Sequence, residues 1–374
     1  MKIATYNIEN LFHRDKQLIG RPMGKNLSDW ISELDRLMRK DLKSVNDQDR
    51  MRDLSFLLGF QEVQRNTYAV MRKKGGQLYF RLRDASDEKK ATEATKWNGW
   101  LEVGTKPINE ASTENKARSI ANVDPDILIL QEVEDRASLL QFNQDLFPKF
   151  DCAPFEQTMM FQGNDPRGLE LAVLSKNGYG IRSVHSHVND RDERGEILFD
   201  RDCAEYSITT PKGKTIWILP NHFVANPERA DAETRRKSQA MRVAEIYERM
   251  SLEGKENIVV CGTFNDVSFS DALTPLLRCT DLKDISKHPN FEVDQDYGME
   301  GGYQRLGAYR MGVNLKQRDY LLFSPNLFSE VVRGGLNRRG VWPDRKSQWT
   351  IYPNIIDEIH AASSHPVLWA ELDI

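Results

Sequence analysis

Five places in the chain bring hydrogen-bonding or acidic side chains to the end of an apolar run. The first run, Ile3 to Ile8, carries Asn7; ILIL at 127–130 is followed by Gln131 and Glu132; TIWILP at 215–220 is followed by Asn221 and His222. IVVCG at 258–262 leads into Thr263, Phe264, Asn265 and Asp266, and His365 stands just before the final run, Val367 to Leu372. Short β-branched runs read as buried strands, so polar groups at their ends mark the rim where a sheet meets solvent. Five such endings in one chain suggest side chains converging on one site. Their types suit phosphoester hydrolysis assisted by a divalent cation. Mg²⁺ takes oxygen ligands and keeps several waters, so Glu132 and Asn7 could supply what the protein must provide. Histidine is the better donor to phosphate oxygens, and an acid such as Asp319, at the head of Asp319-Tyr320-Leu321-Leu322, would orient His365 and keep it protonated. Asn265 could donate to the attacking water or to charge developing on phosphorus.

Each residue also has a plainer reading. Asn7 could close a turn, and Glu132 could cap a helix beginning near Asp135. His185 and His187 read as a solvated pair in a surface turn, and Arg235-Arg236-Lys237 as a solvated helix face. Residues 333–349, RGGLNRRGVWPDRKSQW, mix cations with aromatic rings, as nucleic-acid binders do and as an ordinary packed loop does; both readings stay open.

The elements that must position the rim are many short strands and a few helices. Beyond the strands above, Leu169–Leu174 and Tyr320–Phe323 read as strands. Thr113–Asn122, Ala137–Phe147 and Ala230–Met250 read as helices, the last with Ala240, Val243, Ile246, Tyr247 and Met250 along one face. Packed sheets covered by outer helices are expected. The stretch 15–95 is charge-dense: Trp30, Leu34, Leu37, Met38 and Leu42 recur at helical spacing, then Leu54, Leu57, Leu58 and Val63, and a hairpin is expected from Leu78–Leu82 and Trp97–Leu101. It reads as an insertion or subdomain within a single domain spanning 1–374.

Composition narrows the class. The 374 residues are 39% hydrophobic, enough for a substantial core, and 52 Lys+Arg against 56 Asp+Glu leave a net charge of −4. A globally basic nucleic-acid binder is excluded, so any anion-binding surface is local. Cys152, Cys203, Cys261 and Cys279 have no metal-binding spacing and read as reduced packing thiols. The opening MKIATYNIENLF does not read as an export signal, and no run approaches a membrane span, so a cytoplasmic protein with no membrane partner is expected.

Seven segments in order, TYNIENLF, DPDILILQEVE, NDPRGLELAVLS, ILPNHF, VVCGTFND, RDYLLFSP and SSHPVLWAEL, resemble the endonuclease/exonuclease/phosphatase superfamily, whose members include deoxyribonuclease I and abasic-site endonucleases. They span residues 3 to 373, with 15–95 largely outside. The resemblance implies a four-layer α/β sandwich of two mixed β-sheets flanked by helices. It implies a metal-dependent phosphodiesterase or phosphatase, a nuclease foremost, acting on nucleic acid or another phosphoester. It implies Mg²⁺ or Mn²⁺ held by Asn7 and Glu132, phosphate contacts from His222 and Asn265, stabilisation by His365 with Asp319, and a phosphate or structural contact from Arg167.

The sequence departs from the superfamily at two acids. Gly262-Thr263-Phe264-Asn265 stands where Gly-Asp-x-Asn is usual, and Ser363-Ser364-His365 where Ser-Asp-His is usual. A threonine cannot accept a proton at neutral pH, and general-base assistance is worth roughly 10²–10⁴-fold. Asp266 turned inward, His222 acting as base, or activation of the water by the cation would each restore turnover. Otherwise the chain is a weak or inactive relative that binds nucleic acid, nucleotide or a protein partner.

Overall fold

The computed structural model describes residues 1–15, 25–57, 69–73, 99–103, 105–165, 168–225, 231–292, 317–343 and 349–374. In chain order the strands are β1 (Lys2–Asn7), β2 (His13–Asp15), β3 (Ala69–Lys73), β4 (Gly99–Val103), β5 (Thr105–Pro107), β6 (Ile127–Val133), β7 (Gln157–Met160), β8 (Glu170–Ser175) and β9 (Gly180–His185). They continue with β10 (Glu205–Thr209), β11 (Thr215–His222), β12 (Ile258–Thr263), β13 (Lys283–Asp284), β14 (Phe291–Glu292), β15 (Asp319–Phe323), β16 (Val331–Asn337) and β17 (Val367–Leu372). The longer helices are α1 (Lys25–Met38), α2 (Val45–Leu57), α3 (Glu110–Ala121), α4 (Arg136–Asp145) and α5 (Ala232–Leu252).

The chain divides into two compact units, one of residues 1–9, 110–133 and 140–374 and the other of residues 10–109 and 134–139. The first unit holds two mixed sheets. One runs β14-β16-β17-β1-β6-β8-β7 and the other β13-β15-β12-β11-β10-β9. Alternation along each strand makes this a sandwich. Ile3, Ile127, Ile129, Val173, Leu368 and Ala370 from the first sheet share one buried cluster with Tyr206, Ile208, Ile216, Ile218, Val259, Cys261, Leu321 and Phe323 from the second. The intervening residues of the second sheet, Leu219, Ile258, Val260, Tyr320 and Leu322, face outward onto α5. There the helical stripe Ala240, Val243, Ile246, Tyr247 and Met250 covers them, as its spacing predicts. Fully burying each large side chain of such a stripe contributes roughly 1.5–3 kcal/mol before entropy is subtracted. In α3, Lys116 is buried and its Nζ donates to the Ile8 carbonyl at 2.6 Å, which ties the helix to the end of β1.

Parallel pairing fixes which strand ends coincide. β1 runs parallel to β6 with Asn7 opposite Gln131, and β11 runs parallel to β12 with His222 opposite Thr263. β15 is antiparallel to β12 and starts at that same end, Asp319 facing Thr263.

In the second unit β3 pairs antiparallel with β4, and β2 with β5. The strand expected at Leu78–Leu82 lies outside the described residues, so β4 has Ala69–Lys73 as its described partner. Helix α1 ends at Met38, and Leu42, expected on its face, is 91% exposed beyond it. Nine of the described strands went unread in the sequence, among them β7, β9, β10 and β16. β9 alternates exposed polar groups, β10 buries Glu205 and Ser207, and β16 is interrupted by Gly334 and Gly335, so none shows an apolar run.

Candidate active site

Glu132 reaches the rim through a break in its strand. The register of β6 against β8 shifts between Leu130 and Val133, and Glu132 takes a left-handed φ of 62°. A bulge of this kind re-aims a side chain that regular alternation would point elsewhere. Gln131 stays in the interior and donates to Thr5 Oγ1, whereas the Glu132 carboxylate accepts from Asn7 Nδ2 at 3.2 Å. The helix-cap alternative for Glu132 is excluded. Asp135 caps α4, accepting from the Ser138 backbone N–H at 2.7 Å.

The second sheet contributes across the gap. His222 Nε2 lies 3.6 Å from the same Glu132 oxygen, and the ring is 5% exposed. Asn221 turns back to the Leu219 carbonyl and takes no part. Asp319 Oδ2 accepts from His365 Nδ1 at 2.7 Å. Ser363 Oγ donates to the Asn7 carbonyl at 2.8 Å, binding the loop before β17 to the end of β1. Side chains from both sheets therefore meet at one end of the sandwich.

Two backbone features build the turn after β12. Gly262 has φ 127°, and a Cβ there would stand 1.9 Å from the Asn221 carbonyl oxygen, so only glycine allows β11 and β12 to approach this closely. Asn265 then takes φ 56°, a conformation asparagine tolerates better than most residues, and its Nδ2 donates to the Phe223 carbonyl at 2.8 Å. Beneath them Phe223, Phe264 and Tyr320 form a continuous stack, with centroids 4.8 and 4.7 Å apart. The stack holds the residues on either side of Phe264 in place.

The electrostatics follow from this crowding. Burial raises the Glu132 carboxyl above the usual carboxylate range, and the negative charge of Glu9 adds to the effect. Burial alone would lower His365, but the charge and hydrogen bond of Asp319, with Glu9 and Glu132 behind, outweigh it and hold the imidazole up at about 9. His365 is therefore a cation at neutral pH. Glu9 escaped the sequence reading. It stands two residues after Asn7 at φ 47°, its backbone N–H donates to Asn7 Oδ1, and its carboxylate accepts from both the N–H and the hydroxyl of Ser364. The signal was the spacing Asn-x-Glu at the end of a strand. Asn7, Glu9 and Glu132 offer oxygen donors, which suit Mg²⁺ or Mn²⁺ better than a thiolate- or imidazole-preferring metal. The charge of Glu9 and burial both work against ionisation of Glu132, and a bound cation would relieve that.

Of the repairs the sequence suggested for the missing acid, the inward turn of Asp266 does not occur. Thr263 is fully buried, and its hydroxyl donates to Asp319 Oδ1 at 2.7 Å rather than facing a water site. The Asp266 carboxylate is held by Arg236 at 3.2 Å and by Ser270 Oγ at 2.8 Å. Arg236, expected on a solvated face, is completely buried, and Arg235 is 8% exposed. Arg167 lies outside the described residues.

Other candidates resolve away from the rim. His187 is buried rather than solvated, with Nε2 2.9 Å from Glu205 and Nδ1 3.1 Å from Asp190. Donor atoms of His185, His187 and Glu205 lie within 4.8 Å of one another, but Arg249 and Lys255 already neutralise Glu205. A further dication would meet two positive charges. In the 333–349 segment Arg338 is 4% exposed and its guanidinium lies 4.6 Å from the Trp349 ring centroid, while Arg339 lies 5.0 Å from that of Tyr352. Both cations are spent on the protein's own rings, which favours the packed-loop reading. Cys152, Cys203 and Cys261 are buried thiols as expected, and Cys279 is exposed. Among the described residues no helix is long and apolar enough to cross a membrane.

The sequence model of the Endonuclease/Exonuclease/phosphatase family matches residues 109–351, more than half of the chain. The chain belongs to that family. The match begins where the 10–109 segment ends, and β1 with Asn7 lies upstream of it. No curated protein matches the chain in sequence. Among solved structures it is similar to a truncated Caenorhabditis elegans TDP2, at 16% identity and a TM-score of 0.44 over 70% of this chain and 91% of that one. It is also similar to the human Nocturnin catalytic domain with bound sulfate, at 15% identity and a TM-score of 0.44 over 70% and 87% of the two chains. A Bacteroides thetaiotaomicron mannosyl-6-phosphatase matches at 13% identity and a TM-score of 0.46 over 71% and 92%. Members of this family are phosphoesterases, nucleases and phosphatases among them.

Proposed function

We propose that the chain is a divalent-metal-dependent phosphodiesterase, a nuclease in its most specific form, that cleaves by in-line attack of water on phosphorus. The observation that carries this reading is the meeting at one rim of Asn7 and Glu132 from the first sheet with Asp319 from the second, which is hydrogen-bonded to His365 in the loop before β17. Asn7 and Glu132, with Glu9 beside them, would hold Mg²⁺ or Mn²⁺, which when bound polarises the phosphate and lowers the pKa of a coordinated water. His365, protonated and oriented through Nδ1 by Asp319, presents Nε2 as a charge-assisted donor to the phosphate oxygens, where negative charge grows in the transition state. Asn265 spends one amide proton on Phe223 and keeps the other for phosphate. His222, 3.6 Å from Glu132, would supply a further contact to the phosphate. The substrate is nucleic acid or another phosphoester, and fold alone does not choose among them. Residues 15–95 are an insertion within one domain on this reading, supported by the family match beginning at residue 109.

A second reading has its own support. With Thr263 bound to Asp319 and Asp266 bound to Arg236, the 263–266 turn offers no free carboxylate as general base. A weak or inactive relative that binds nucleic acid, nucleotide or a protein would look the same. Hydrolysis of single- and double-stranded DNA, RNA and a generic phosphodiester with added Mg²⁺ or Mn²⁺ separates the two. Metal-dependent turnover lost in Glu132→Gln supports the hydrolase. Binding of the same substrates without turnover supports the binding module.

A further inference from the structure

Thr263 stands where the family usually has an acid, and it cannot serve as a base in that acid's place. The geometry points to a different role: we infer that Thr263 is a positioning residue that locks the Asp319 carboxylate for His365. This rests on the hydrolase reading for its catalytic consequence but not for its structural one. Thr263 and Asp319 are paired across β12 and β15, and both are buried, at 0% and 2% exposure. One carboxylate oxygen accepts from Thr263 Oγ1 and the other from His365 Nδ1, each at 2.7 Å. The terminal torsion of an aspartate is broad and roughly two-fold, so each hydrogen bond narrows the range its carboxylate plane can take. The bond from Thr263, a β-branched side chain whose own χ1 is restricted, narrows it on the side away from His365. The plane of Asp319 sets the plane of the imidazole, and that sets where Nε2 points.

An ionised aspartate at position 263 has no proton to donate, so restoring the family's acid in this chain gives up the hydrogen bond that Thr263 makes to Asp319 Oδ1.

The test uses Thr263→Val, which keeps the shape and removes the hydroxyl, Thr263→Ala as a smaller deletion, Thr263→Ser as the conservative rescue, and Thr263→Asp. The first readout is the ¹H–¹⁵N resonance of the His365 Nδ1 proton, assigned by its absence in His365→Gln. The second is kcat and KM on a generic phosphodiester with Mn²⁺. The valine and alanine variants are expected to fold, to broaden or lose the resonance, and to lose about 10–100-fold in kcat with KM little changed, the range for a residue that orients a working side chain through one hydrogen bond. Serine restores both, and aspartate, which cannot donate, loses the resonance as the deletions do. Retention of the resonance and of wild-type kcat in both deletions overturns the inference, as does an unaltered resonance in Thr263→Asp. If wild type hydrolyses nothing, the hydrolase reading fails while the resonance still decides what Thr263 does.

Discussion

The protonated state of His365 makes stability depend on pH in a direction that can be worked out. An imidazole in the unfolded chain titrates near 6.5, and in the folded protein this one is held up at about 9. Below pH 6.5 both states carry the proton and the stabilisation is fully present. Between 6.5 and 9 the folded state alone keeps it, so stability falls as pH rises, and above about 9 the contribution is gone. At about 1.4 kcal/mol per pH unit, the full loss is roughly 3 kcal/mol. That is a large part of the ~5–15 kcal/mol that holds a typical domain. The assay is urea unfolding from pH 6 to pH 9.5, comparing wild type with Asp319→Asn. Removing the Asp319 charge takes away the main cause of the raised value, so the variant's curve should lose most of this slope while the remaining groups titrate alike in both proteins. Wild type should be the more stable at pH 6, and the difference should shrink by about 2–3 kcal/mol at pH 9.5. Parallel curves across this range would refute the assignment of a buried imidazolium paired with Asp319.

Three further outcomes follow from particular contacts. Gly262→Ala drives a Cβ into the Asn221 carbonyl at a φ that L-residues rarely adopt, and should cost at least about 3 kcal/mol or abolish folding, read by circular dichroism and thermal melting. Asp266→Ala leaves the fully buried Arg236 without its ion-pair partner. Because Asp266 is itself partly exposed, the expected loss is about 2–3 kcal/mol, below the usual range for a wholly buried pair, and Arg236→Met in the same background should recover part of it in denaturant midpoints. Millimolar Mn²⁺ should raise the melting temperature of wild type, and Glu132→Gln should show no rise, because a ligand that binds only the folded state stabilises it by mass action.

Much of this site could be read from sequence because strand ends announce themselves. Asn7, His222, Asn265 and His365 each follow or precede a continuous apolar run, and the parallel pairs β1–β6 and β11–β12 bring those runs to one edge. What failed to show depends on contacts between distant segments. Ser364 holding Glu9 spans 355 positions, and Thr263 holding Asp319 spans 56, so neither partnership leaves a periodic trace. Arg236 misled for a similar reason. A charged triplet on a helix reads as solvated until its buried partner, here Asp266, is known. The strands β9, β10 and β16 were invisible because their stabilisation comes from pairing and from buried polar groups such as Glu205, held by His187, Arg249 and Lys255. Helix α5, with its five-residue apolar stripe, was plain in the sequence because that pattern is local.

The most direct test of the account is turnover of a generic phosphodiester by wild type and by Glu132→Gln, each with and without Mn²⁺. The account predicts metal-dependent hydrolysis by wild type that falls at least ~100-fold in the variant, the order of loss expected when a charge-stabilising group leaves an active site. Equal rates in the two proteins, or hydrolysis indifferent to metal, would contradict it.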